Sequence, residues 1–143
     1  MLVGEYLHNL DIKGRVAVPK KFRELIGTGA ILTKGLDGCL FLYPKPEWER
    51  FSQRLRLLPV TLAETRAFER YLFGSAVEVG FDQLGRIKIP EYLRIYAGLT
   101  KEAVIVGLLE RVEIWEKTRW GEFAKKLHER SEEIAEKLSE RGV

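Results

Sequence analysis

Val16 and Val18 alternate with Arg15 and Ala17, and Ile87 and Ile89 alternate with Arg86 and Lys88. That two-residue period marks a strand with one buried face, so each arginine starts on the side away from the core. A strand-like segment leads into each stretch, residues 4–10 in one case and 75–81 in the other. After each comes an apolar stripe at helical spacing: Phe22, Leu25 and Ile26, then Leu93, Tyr96 and Ala97. Pro19 and Pro90 stand where a first helical residue belongs, because proline's missing N–H costs nothing there. Gly27 and Gly98 stand at the usual C-terminal stop. Residues 30–33 and 39–43 then read as strands around a Gly-Leu-Asp-Gly turn, with 103–106 and 112–115 as their counterparts.

Elsewhere the pattern is helical. Residues 46–58 place Trp48, Phe51 and Leu55 inward and end at Pro59, while residues 62–73 place Phe68, Tyr71 and Leu72 inward and stop at Gly74. A longer helix over 119–141 carries Trp120, Phe123, Leu127, Ile134 and Leu138. Its last two turns have few apolar residues, which suits either solvent or another subunit.

The two series of strands are copies. Asp11-Ile12-Lys13-Gly14-Arg15-Val16-Ala17-Val18-Pro19 returns seventy-one positions later as Asp82-Gln83-Leu84-Gly85-Arg86-Ile87-Lys88-Ile89-Pro90. Arg23 answers Arg94 and Gly27 answers Gly98. One residue of slippage later, Trp48 answers Trp120 and Phe51 answers Phe123. In both turns an Asp precedes a Gly by three positions; the carboxylate can accept backbone N–H groups and the Gly can close the turn left-handed. Each half alone is near the size at which a core becomes marginal. The copies are therefore expected to share one core about an approximate two-fold.

Composition narrows the function. Apolar residues are 45% of the 143, ample for a core, and the net charge of +3 is too small to identify a nucleic-acid binder by itself. Its distribution says more: Lys13, Arg15, Lys20, Lys21 and Arg23 cluster without an acid among them, a local patch compatible with a polyanion. The lone Cys39 excludes an intrachain disulfide. No apolar run is long enough to cross a bilayer, and a cytoplasmic protein is expected.

Arg15 and Arg86 carry the sharpest functional signal. A guanidinium beside a tight Gly turn can reach beyond the fold, and its planar fork fits guanine O6 and N7 or a phosphate. The competing reading is a local ion pair with Asp11 or Asp82. An exposed pair of that kind is worth only about 0–1 kcal/mol, a poor reason to build it twice.

Two Asp-x-x-x-Arg motifs, each followed by a short strand and a Pro, resemble the MraZ family over nearly the whole chain. The resemblance implies an α+β fold: a duplicated AbrB-like (swapped-hairpin) β-barrel with short helices and a long C-terminal helix. It divides the chain into half-domains at 5–47 and 75–118, a helical connection at 48–74 and the C-terminal helix at 119–143. It further implies a bacterial transcriptional regulator that binds short repeated boxes in double-stranded DNA. Those boxes would lie upstream of the cell-division and cell-wall gene cluster, the protein's own promoter included. Assembly into a ring-shaped homo-oligomer and association with the nucleoid are implied as well. The motif positions fall on Asp11, Arg15, Asp82 and Arg86. Lys13, Gly14, Gly85, Lys20, Lys21 and Arg23 complete the candidate DNA-binding set, with Lys13 and the helix cations equally readable as solvated side chains. The first copy follows its arginine with Lys20, Lys21 and Arg23, the second with Glu91, Tyr92 and Arg94, so phosphate contacts are expected to be lopsided.

Catalysis has little support. His8 and His128 lack metal-ligand spacing, Cys39 begins an apolar strand, and Gly27-Thr28-Gly29 is too short to cradle a phosphate. The sequence calls for no cofactor, metal, membrane or small-molecule substrate. The rival readings are an AbrB-type antitoxin-like protein that clasps a toxin and a structural ring whose turns are subunit contacts.

Overall fold

The computed structural model describes residues 1–142; Val143, the last residue of the segment expected at 119–143, lies outside the described residues. In chain order the elements are β1 (Val3–Asn9), β2 (Arg15–Ala17), α1 (Lys20–Ile26), β3 (Gly29–Lys34), β4 (Leu40–Pro44), α2 (Lys45–Arg56) and α3 (Ala63–Leu72). There follow β5 (Val77–Gly80), β6 (Arg86–Lys88), α4 (Glu91–Ala97), β7 (Glu102–Leu108), β8 (Val112–Glu116) and α5 (Lys117–Ser139). Six strands form one sheet in the order β1-β7-β8-β4-β3-β5, and β2 with β6 forms a separate ribbon.

Among the described residues, only two ladders stay within a copy, the β3–β4 and β7–β8 hairpins. The others cross between copies: β1 with β7, β5 with β3, β2 with β6 and β4 with β8, all antiparallel. The leading strands of each copy are thus exchanged into the other, which is the swapped-hairpin arrangement. Val16 faces Ile87 in the ribbon and Phe41 faces Glu113 in the sheet. Each pair joins repeat-equivalent residues, so the approximate two-fold passes through both. Ala30 faces Val79 while Ala103 faces His8. The single-residue slippage is therefore an insertion of two before β7 and a loss of one in the following turn.

One core unites the halves. The ribbon's inward residues Val16, Val18, Ile87 and Ile89 pack with Phe22 of α1, Leu93 of α4 and the sheet residues Leu32, Leu42, Ile105 and Ile114. Burying each such side chain contributes about 1.5–3 kcal/mol. The sheet's other face is also covered. Phe41, Tyr43, Val104, Val106 and Trp115 pack against Trp48 and Phe51 of α2 and Trp120 of α5, so β4 is buried along its whole length. Burial on both faces explains its uninterrupted apolar sequence.

Several expected details shift. Pro19 and Pro90 are not first helical residues; with ψ of 139° and 149° they are extended and stand just outside α1 and α4. A proline φ suits both positions, so the residue type alone does not distinguish them. Leu25 does not join the α1 stripe: Phe22 and Ile26, one turn apart, are buried, while Leu25 is 53% exposed. α2 ends at Arg56 rather than at the proline, and α3 begins at Ala63. α5 begins two residues before Arg119, because the Glu116 carboxylate accepts the Thr118 and Arg119 backbone N–H groups at 2.8 and 3.0 Å and caps the helix. Gly98 ends α4 in the left-handed conformation, φ 67°. No described residue of α5 is buried; Phe123, Leu127 and Leu138 stand exposed along it. No helix among the described residues is long and apolar enough to cross a membrane.

Candidate nucleic-acid interface

Both turns are built by the same bonds. Asp11 Oδ1 accepts the backbone N–H groups of Lys13 and Arg15 at 2.9 Å each, and Asp82 Oδ1 accepts those of Leu84 and Arg86 at the same distances. The Gly14 and Gly85 N–H groups close the turns onto the Asp11 and Asp82 carbonyls at 3.0 and 2.9 Å. Both glycines lie in the left-handed region, at φ 78° and 74°, which side chains with a Cβ reach only at a cost. The second carboxylate oxygen takes the arginine: Arg15 Nε donates to Asp11 Oδ2 at 2.6 Å and Arg86 Nε to Asp82 Oδ2 at 2.9 Å. The Arg15 backbone N–H is the main reason the Asp11 carboxyl is held down to about 2; its guanidinium and the Lys13 N–H add to that against the cost of desolvation. Asp82 is lowered for the same reasons, led by the Arg86 N–H.

The local ion pair and an outward arginine are therefore not alternatives. Pairing through Nε fixes the guanidinium plane and leaves both terminal nitrogens of Arg15 without a hydrogen bond among the described residues. Arg86 reaches across the two-fold, its Nη1 standing 3.5 Å from Asp11 Oδ2. The Arg15 and Arg86 side chains keep 32% and 26% of their surface open, so neither is sealed beneath the fold.

The two turns also brace each other. Arg23 donates to the Val18 carbonyl at 3.0 Å and its guanidinium lies over Gly85 of the other copy. Arg94 answers by donating to the Ile89 and Lys13 carbonyls, its guanidinium lying over Gly14. A Cβ on Gly14 would fall 1.7 Å from Arg94 Nη1, and one on Gly85 would fall 2.4 Å from Arg23 Cζ. The absent side chains make room for these crossed guanidinium groups. The Val18 N–H donates to the Gly85 carbonyl and the Ile89 N–H to the Gly14 carbonyl, at 3.1 and 2.9 Å, tying each turn to the other copy's strand.

Around this centre the surface is cationic. Register puts Arg15 opposite Lys88, a like-charged cross-strand pair that is unfavourable without a counter-anion. Lys88 and Arg94 escaped the sequence reading of the site. The signal for Lys88 was the strand period, two residues beyond Arg86 on the same face; the signal for Arg94 was its equivalence to Arg23. Lys13 is exposed at the first turn, and Lys20 and Lys21 are exposed on α1. Lys20 lies 4.0 Å from Glu24, and the Lys21 ammonium sits 5.3 Å from the Tyr6 ring centre. The structure thus groups Asp11, Lys13, Gly14, Arg15, Asp82, Gly85 and Arg86 at one ribbon, with Arg23 as its brace, while Lys20 and Lys21 stand on α1 against Glu24 and Tyr6.

The other polar candidates stay apart from the ribbon. The Cys39 thiol is buried, donates to the Leu36 carbonyl and is pushed up chiefly by burial. Among the described residues, no group of three or more His, Cys, Asp or Glu side chains is placed to hold a metal ion.

Crossed hairpins and paired Asp–Gly–Arg turns define a protein built from two AbrB-like half-domains within one chain. A family model described as "MraZ protein, putative antitoxin-like" matches twice, over residues 1–71 and 72–142. The chain is 52% identical over 138 residues to the transcriptional regulator MraZ of Pelotomaculum thermopropionicum, covering 96% of this chain and 95% of that one. It is 48% and 46% identical to the proteins of that name from Acetivibrio thermocellus and Halothermothrix orenii, over all of both chains in each case. The chain belongs to the MraZ family, whose members named here are transcriptional regulators.

Proposed function

We propose that this chain regulates transcription by binding double-stranded DNA sequence-specifically through its two Asp–Gly–Arg turns. The observation that supports this most is the pair of repeat-equivalent arginines on one cationic ribbon, each fixed at Nε, Arg15 with both terminal nitrogens open and Arg86 with one of them leaning on Asp11. Such a fork fits the two acceptors of guanine in the major groove. The carboxylate removes much of the side chain's freedom before binding, so less is lost when a base is met. Lys13, Lys20, Lys21 and Lys88 supply phosphate contacts, which position the protein without reading sequence. The relatives' name, transcriptional regulator, supports the same reading.

The targets in this reading are short repeated boxes upstream of the cell-division and cell-wall gene cluster, the chain's own gene included, and the protein is nucleoid-associated. One subunit offers a small contact. A ring of subunits meeting several boxes together gains by effective concentration, and the uncovered stripe of Phe123, Leu127 and Leu138 on α5 supports such assembly. The test is a footprint on DNA upstream of the chain's own gene, with Arg15→Ala and Arg86→Ala compared against the parent. Protection of spaced boxes that both variants lose supports the reading. Parent-like protection by either variant across a salt titration overturns it. Loss of assembly in the same variants, read by light scattering, would instead make the turns subunit contacts.

A further inference from the structure

Ile12 and Leu84 have no structural employment. Ile12 is fully exposed at 101% and Leu84 is 69% exposed, each at the tip of a turn whose neighbours are polar or charged. Single exposed apolar residues are ordinary on a protein surface. These two differ in being held rigidly: the Asp11 carboxylate fixes the backbone at Lys13, directly after Ile12, and the Asp82 carboxylate fixes Leu84 itself. They also stand within three residues of the outward arginines. Central turn positions favour Gly, Asn, Asp and Ser, so turn formation does not account for an aliphatic residue at either tip.

We propose that Ile12 and Leu84 are specificity residues that pack on the C5-methyl groups of thymines in the major groove. This deepens the DNA-binding reading and rests on it. In the major groove that methyl is the apolar feature that distinguishes the bases, and aliphatic contact is how it is read. The arginine beside each tip takes an adjacent guanine edge. The two turns do not offer the same tip. Ile12 occupies the position of Gln83, and Leu84 occupies that of Lys13. The apolar contact therefore falls one residue later in the second turn, next to an amide rather than an ammonium. The two halves read related but unequal base steps, each with its thymine displaced differently from its guanine.

Uracil tests this directly, because it keeps thymine's hydrogen-bonding edge and lacks only the methyl. The full-length protein is titrated with the footprinted duplex from upstream of its own gene, and with duplexes in which deoxyuridine replaces thymidine one site at a time. The parent should lose roughly fourfold in affinity per contacted subunit at one thymine under each turn, the worth of burying about one methylene. Ile12→Ala should lose a similar factor on the thymine duplex and become indifferent to uracil under the first turn only; Leu84→Ala should do the same under the second. Equal parent affinity for all thymine and uracil duplexes overturns the proposal. If Arg15→Ala still abolishes binding in that case, the DNA-binding reading survives it. Weakening by Ile12→Ala that is the same on both kinds of duplex overturns the methyl contact, as does a loss of oligomeric mass by light scattering.

Discussion

At the scale of single residues, the aspartates and glycines hold the turns, and the proposed DNA contact falls to the arginines. Replacing Arg15 or Arg86 with Ala should cost roughly 1–3 kcal/mol of DNA affinity per contacted subunit and relax preference at the guanine it faces; competition binding on single-base variants of the duplex measures both. Gly14→Ala forces a left-handed alanine, costing about 1–2 kcal/mol of stability, and displaces the Arg94 guanidinium. In a urea denaturation cycle, Gly14→Ala with Arg94→Ala should cost less than the sum of the two singly, since both disturb one contact. The Asp11 carboxyl is lowered from 3.8 to about 2. Its stabilisation is complete above the unfolded value and disappears as pH falls through the folded one. Thermal midpoints should therefore decline between about pH 4 and pH 2, and Asp11→Asn should flatten that decline.

At the scale of elements, most of what local chemistry dictates is visible in the residues. The strand period of Val16/Val18 and Ile87/Ile89, the proline–glycine bracketing of α1 and α4 and the two helices between the copies all follow from spacing. Where expectation slips, a nearby atom decides. Leu25 lies between Phe22 and Ile26 in sequence, yet those two, one turn apart, take the inward face of α1 and Leu25 stays half exposed. α5 starts early because Glu116 caps it, and a glutamate after a strand carries no unambiguous helix signal. Glu116→Ala should destabilise the chain by about 0.5–2 kcal/mol, read as a lower thermal midpoint. DNA affinity per assembled particle should be unchanged, since the cap's bonds run to Thr118 and Arg119 and not to the ribbon. The α1 cations should act through charge alone: Lys20→Ala weakens binding to all sequences alike and reduces the slope of log affinity against log salt.

At the scale of the whole molecule, the repeat announced the two-fold, but nothing local announced which strands would pair. β1 and β5 are equivalent, and each could in principle have closed on its own copy. The exchange is a property of the shared core, as are the crossed positions of Arg23 and Arg94. The sheet's second, aromatic face was legible only in part: Trp48, Phe51 and Trp120 were readable as apolar helix positions, but not as the cover for Phe41, Tyr43 and Trp115. The exchange makes a firm prediction. A fragment of residues 1–71 lacks the ladder partners of β1 and β2 and one partner each of β3 and β4, so it should show no cooperative unfolding as a monomer. Mixing it with residues 72–142 should restore native circular dichroism, and a stable monomeric fold in the first fragment alone would contradict the crossed pairing.

β1 meets its neighbour only when β7 exists, with Val3 set against Leu108. A ribosome adding roughly 5–20 residues per second holds that opening strand unmatched for several seconds while the remainder is made. Should translation stop before β7, the released polypeptide is left with β1 unpaired. Such a product presents an open strand edge and should aggregate or be degraded rather than fold.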